Sequence, residues 1–334
     1  MRRFYVPVFV AACGLSATGA EFEQVSGLTG TLIVTNKEPS TATIIDVASG
    51  RALATLPTGN GPHEVVLSKD GRIAVVTDYF GSTGPGNTLT VIDVPGKRVV
   101  RTINLGQYTR PHGIVYLPGD SLVAVTSEST QNVVIVAVSS GEIRKAIPTQ
   151  HQGSHMVAVT ADGKRAWTGD IGSNTVSELD IPSGAYVRSI EVPAQPEAIN
   201  VTPDGREVWV GSNSTGKVSV VDPATGNVTT AAEGVSWPYR VLFTPDLTTV
   251  ILPDLRKDEV RFLDRATKRE LSRLSMPGAG PQGVTLTPDG RYLLESLSQQ
   301  ARVVVVDMNT RKIVGYIPAG RTPDGIAYTP NVYK

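Results

Sequence analysis

The chain has 334 residues with 31 basic and 31 acidic side chains, so its formal charge is zero and nothing electrostatic favours a nucleic acid or an anionic membrane as its partner. The 33 glycines and 23 prolines are too many for a helical bundle and too few for a disordered or collagen-like chain, and 40% hydrophobic residues allow a sizeable core. The one cysteine, Cys13, lies in an N-terminal apolar stretch, which excludes disulfides, Cys-based zinc sites and a catalytic thiol elsewhere.

Residues 1–20 read as an export signal. Arg2 and Arg3 form a positive start, Phe4 to Ala12 an apolar stretch, and Thr18-Gly19-Ala20 a small-residue cleavage site. A second reading is a lipoprotein signal ending before Cys13, because Val10-Ala11-Ala12-Cys13 resembles a lipobox. Both place the protein in the periplasm or outside the cell. The stretch is too short for a stable bilayer anchor, so no transmembrane helix is expected in the mature chain.

From residue 28 to 330 one unit repeats. Its marker is a small residue or Pro, then a polar residue, then an apolar run. In chain order it appears at Pro62-His63, Pro111-His112, Ser154-His155, Pro196-Glu197, Pro238-Tyr239, Pro281-Gln282 and Pro323-Asp324. The second positions step by 49, 43, 42, 42, 43 and 42 residues. The long first step contains an insertion, Gly81 to Gly86, read as an extended loop. Each unit holds four β-rich runs. The first ends in a turn such as Thr202-Pro203-Asp204-Gly205, where Gly takes positive φ. The third is closed by an Asp that recurs as Asp46, Asp93, Asp180, Asp222, Asp264 and Asp307, with Ala137 breaking the series. Such an Asp can bond backbone N–H groups two residues on, so this series is structural.

Four short strands per repeat without helical periodicity predict an all-β, seven-bladed β-propeller with four-stranded blades. Burial of both faces explains near-continuous Val, Ile and Leu. The first unit supplies only three strands. Its innermost strand is expected from the other end of the chain, at Pro323 to Thr329, closing the ring as a monomer.

Leu32-Ile33-Val34-Thr35-Asn36, Val201 to Val210 and Val220-Val221-Asp222-Pro223-Ala224-Thr225-Gly226 resemble the YVTN-repeat β-propeller family across residues 28–330. That resemblance implies exported binding proteins, cell-surface proteins or accessory proteins of redox systems. Lactonases and streptogramin lyases share the seven-bladed fold. The lyases resemble this chain in using channel-mouth His and Glu with a divalent cation, and Pro111-His112-Gly113-Ile114 resembles their repeat too.

Aligning the repeats places His63, His112, His155, Glu197, Tyr239, Gln282 and Asp324 at one mouth of the central channel. A second series, from the ends of the second strands, contains Asp78, Asp170 and Asp254, with Tyr79 and Glu128 one residue beyond that series. Neutral imidazoles with a carboxylate suit Zn, Cu or Fe, so His63, His112, His155 and Glu197 are the candidate metal ligands. The candidate ligand-binding set adds Tyr239, Arg240, Gln282, Asp324, Asp78, Asp170 and Asp254. His112, His155 and Glu197 are the candidate acid–base residues. Trp167 and Trp209 read as packing between blades, while Trp237 and Tyr239 are candidates to stack on a ligand. Three functions stay open: a protein binding a small molecule, metal or partner protein in an envelope pathway, a metal-assisted lyase or lactonase, and an inert interaction scaffold. No phosphate loop, dinucleotide fingerprint or nucleophile elbow is present.

Overall fold

The computed structural model describes residues 22–334; the predicted leader at 1–20 and the alternative at Cys13 lie outside the described residues. Seven sheets form, each of four antiparallel strands. Blade 1 contains Pro323–Thr329, Thr31–Asn36, Thr41–Asp46 and Arg51–Pro57 in that order, innermost to outermost. The C-terminal strand pairs with Thr31–Asn36 through Leu32 opposite Tyr328 and Ile33 opposite Ala327, which completes the first sheet as expected. Blades 2 to 7 follow at residues 62–104, 111–148, 154–191, 196–232, 238–275 and 281–318.

The core is divided rather than central. Seven apolar clusters form, one in each seam between neighbouring blades. Strands such as Leu122–Ser127 send alternate side chains into the seams on either side: Val123 and Val125 toward blade 2, and Ala124 toward blade 4. Trp167 and Trp209 are fully buried in two of these seams, which fits the packing role read from sequence.

The turns also follow the sequence. Gly205 takes φ 71° in its Pro-Asp-Gly corner. The recurring Asp residues accept from the turn backbone: Ala224 N donates to Asp222 at 2.8 Å, and Thr310 N to Asp307 at 2.9 Å.

Every innermost strand but that of blade 6 carries an irregularity at its start. In blade 3, Pro111 faces Ser127 and Ile114 faces Val125, so two residues oppose one. This is a bulge, which turns the strand and re-aims its side chains. A hydroxyl on the second strand fills the gap. Thr126 Oγ1 accepts from Gly113 N at 2.9 Å and donates to His155 O of blade 4 at 2.6 Å. Ser296 does the same with Gly283 N and Asp324 O, and Thr35 donates to His63 O at 2.9 Å. The hydroxyl thus joins one blade's bulge to the next blade's mouth residue. Blade 6 has Pro253 at this position, and its innermost pairing shrinks to Leu242–Phe243 plus an isolated bridge from Pro238 to Asp254.

Candidate functional site

The bulges aim the first residue after each small or Pro position at the channel axis. On blades 2, 3 and 4 this brings the three histidines together. The ring centroids of His63 and His112 are 4.1 Å apart, and those of His112 and His155 are 3.5 Å apart. Tyr79 meets all three, edge-on to His112 at 4.7 Å.

Carboxylates flank both ends of the stack. His63 Nδ1 lies 3.0 Å from Asp324 Oδ2 and 3.5 Å from Glu64 Oε1. Neither Nδ1 nor Oδ2 makes an aligned hydrogen bond among the described residues. At the other end, His155 Nδ1 lies 3.0 Å from Glu128 Oε2, and Nε2 lies 3.9 Å from Glu197 Oε1. Asn213 donates to Glu197, and Tyr79 Oη donates to Glu128 at 2.7 Å. His112, in the middle, is fully buried, and neither ring nitrogen has a partner among the described residues.

Two residues of blade 6 cross the channel. Tyr239 Oη donates to Asp324 Oδ1 at 3.1 Å. Arg240 lies over the Tyr239 ring at 4.0 Å and pairs with Glu64 of blade 2. Arg240, a candidate ligand-binding residue, is therefore paired with the protein's own Glu64. Tyr239, expected to stack on a ligand, is covered by Arg240 and buried. Trp237 has the Arg256 guanidinium 4.2 Å from its ring centre.

Burial sets the charge states. It pushes His63 down, against the pull of Asp324. It pushes His112 well below the usual histidine value, reinforced by His155 and His63. Both are thus neutral imidazoles at neutral pH. Burial pushes Glu64 up, but the Arg240 guanidinium and His63 outweigh it and hold the carboxyl below its ordinary value. The same opposition, with His155 and Tyr79 as donors, keeps Glu128 low.

The second predicted series does not line the mouth. Asp78 accepts from Thr88 and Thr90 at 2.6 and 2.9 Å within its own blade. Asp170 accepts from Ser154, Thr168, Thr175 and Ser177, and Asp254 from the backbone N–H groups of Ser236, Trp237 and Lys257. The reason is the two-residue period of a strand: the following residue faces the other way. That following position supplies Lys37, Tyr79, Glu128 and Asn213, all in contact with the cluster. Gln282 starts the innermost strand of blade 7, and its buried Oε1 has no partner among the described residues.

The expected metal set is also redistributed. Among the described residues, the group that brings three ligand atoms within 4.8 Å of one another is His63, Glu64 and Asp324. His112, His155 and Glu197 are not in it. The His112 and His155 rings stack at 3.5 Å, and Glu197 Oε1 lies 3.9 Å from His155 Nε2. Glu64 was missed because a strand residue next to His63 should face away; the bulge lets both face the mouth. Lys37 was missed because it holds the position one residue beyond the expected series, and Arg110 because it sits in a loop, where repeat alignment carries no directional signal.

Fold and site together define a seven-bladed β-propeller with a buried, histidine-rich cluster at the channel mouth. No family model matches the chain, and no curated protein matches it. Solved structures do. Hydrazine synthase of Kuenenia stuttgartiensis is similar at 20% identity and TM-score 0.71, over 84% of this chain and 92% of that one. A protein of unknown function from Desulfotomaculum acetoxidans has 17% identity and TM-score 0.75, over 90% and 99%. The dihydro-heme d1 dehydrogenase NirN, in complex with DHE, has 18% identity and TM-score 0.66, over 94% and 78%. At these identities the likeness is one of fold.

Proposed function

We propose that the protein is an exported binding propeller of the YVTN type whose channel mouth holds a divalent transition metal at His63, Glu64 and Asp324. The observation that carries this is the pair His63 Nδ1 and Asp324 Oδ2, buried 3.0 Å apart with no aligned hydrogen bond on either atom. Two unsatisfied buried polar atoms at that separation are costly to leave bare. Ligand atoms bound to a common ion at about 2.0–2.2 Å sit at about such separations. The donor set of one imidazole and two carboxylates suits Zn or Fe. His112, with both nitrogens unpartnered and its ring 4.1 Å from His63, is the next donor available. Lys37 Nζ, 3.6 Å from Asp324, and Arg240 on Glu64 orient the carboxylates. The test is elemental analysis of untagged protein after incubation with Zn²⁺ or Fe²⁺ and gel filtration. The expected result is about one equivalent in the wild type and loss in Asp324→Asn and His63→Ala, with melting curves confirming that both variants fold. A wild type without metal, or variants that keep it, overturns the proposal.

A second reading rests on a different observation, the Glu128–His155 pair. A carboxylate that fixes one imidazole nitrogen leaves the other as a general base, as in the metal-assisted lyase or lactonase reading. Lactone turnover abolished by a chelator would support it; metal-loaded protein inert toward lactones would reject it.

A further inference from the structure

The insertion between the first two repeats is a structured element. It lengthens two strands of blade 2 into a hairpin, Ile73–Gly81 and Gly84–Asp93, of 9 and 10 residues, where the corresponding strands of other blades have five or six. The hairpin is tied down near its tip: Asn60 Nδ2 donates to Gly84 O at 2.6 Å, and Arg110 N to Gly86 O at 2.8 Å. It carries Phe80, which is 47% exposed, beside the buried Tyr79 that covers the histidines.

Two cations share this rim. The Arg110 guanidinium lies 4.8 Å from the Tyr79 ring centre and 5.8 Å from that of Phe80. Lys37 Nζ lies 5.9 Å from the Tyr79 centre. Their carboxylate partners sit deeper: Glu128 and Asp324 are 14% and 0% exposed, against 36% and 32% for Arg110 and Lys37. The charge is thus layered, with cations toward solvent and carboxylates behind them. The buried Nε of Arg110 has no partner among the described residues.

We propose that Phe80, Tyr79, Arg110 and Lys37 form a binding site for a small aromatic carboxylate. Its ring stacks on the exposed face of Phe80, and its carboxylate meets Arg110, with Lys37 adding positive charge elsewhere around Tyr79. A guanidinium is suited to a planar carboxylate, and an uncovered Phe supplies the apolar face that selects an aromatic body. The same cations disfavour a bare cation at this edge. The site uses none of the proposed metal ligands, but Lys37 also pairs with Asp324, so the titration uses metal-stripped protein to keep the two proposals separable.

The test is a fluorine NMR titration of metal-stripped full-length protein with 4-fluorobenzoate, against 4-fluorobenzyl alcohol and trifluoroacetate. Saturable binding of 4-fluorobenzoate is expected, with each control at least about tenfold weaker because one lacks the charge and the other the ring. Phe80→Ala, at an exposed position, should weaken binding about threefold to tenfold. Arg110→Gln, checked by melting curve, should weaken it about tenfold or more. Absence of saturation, equal binding of the alcohol, or full affinity in Phe80→Ala overturns the proposal.

Discussion

Asp78 offers a quantitative check on the architecture beneath the mouth. Its carboxyl is fully buried within the second strand of blade 2, and its close partners are two threonine hydroxyls. Gly59 passes so near that a Cβ there would collide with Oδ2. Burial outweighs the hydroxyl bonds and pushes the pKa up to about 6. In the unfolded chain the value is about 3.9. The native state therefore holds this proton more tightly than the unfolded state. Its contribution to stability is fully present below about pH 4 and is lost as the pH rises through about 6. The difference of about two pKa units corresponds to about 3 kcal/mol. Asp78→Asn cannot titrate, so thermal melts of both proteins from pH 4 to 7.5 isolate this term. The wild type should lose several degrees relative to the variant between pH 4 and 7. A constant gap between the two melting temperatures across that range would refute the assignment of a buried, desolvated carboxyl at this position.

Other outcomes follow from the same structure. Deleting residues 322–334 removes the strand that closes blade 1 and should lower the melting temperature by about 10 °C or more in a thermal scan; an unchanged melt rejects closure by that strand. Glu295 is fully buried with neither oxygen partnered among the described residues, and burial alone pushes its pKa well up. Glu295→Met should therefore stabilise the protein by about 1–3 kcal/mol at pH 7, read by urea unfolding. The raised value also means wild-type stability falls as pH rises above the ordinary carboxylate range, a decline that Glu295→Gln should lack. Trp167→Ala, at a site 1% exposed, should cost about 3–5 kcal/mol in the same assay.

The ring was legible because each unit restates the same spacing, turn chemistry and apolar runs, so seven weak signals reinforce one another. Closure was legible because the first unit lacked a strand that the last residues supplied. The three histidines were legible as neighbours because they hold one position in consecutive units. The wall behind them was displaced by one residue: Asp78 stood in the expected series where Tyr79 acts, and Glu128 likewise lies one residue beyond its strand end. Alignment gives the end of a strand but not which of two successive side chains faces the axis, and the bulge changes that parity on the facing strand. Glu64 escaped for this reason. The Arg240–Glu64 pair escaped because it crosses the channel between residues 176 positions apart, a distance no repeat comparison measures.

The shared hydroxyls have a consequence for how such a mouth changes over time. Because Thr126 holds the carbonyl of His155, and Thr35 that of His63, a site residue and its anchor belong to different repeats. Duplicating or losing a single repeat would separate them. Ring size and mouth chemistry are therefore tied together, and a hairpin added at a rim, such as the longer strands of blade 2, leaves those shared hydroxyls untouched where an exchanged blade would not.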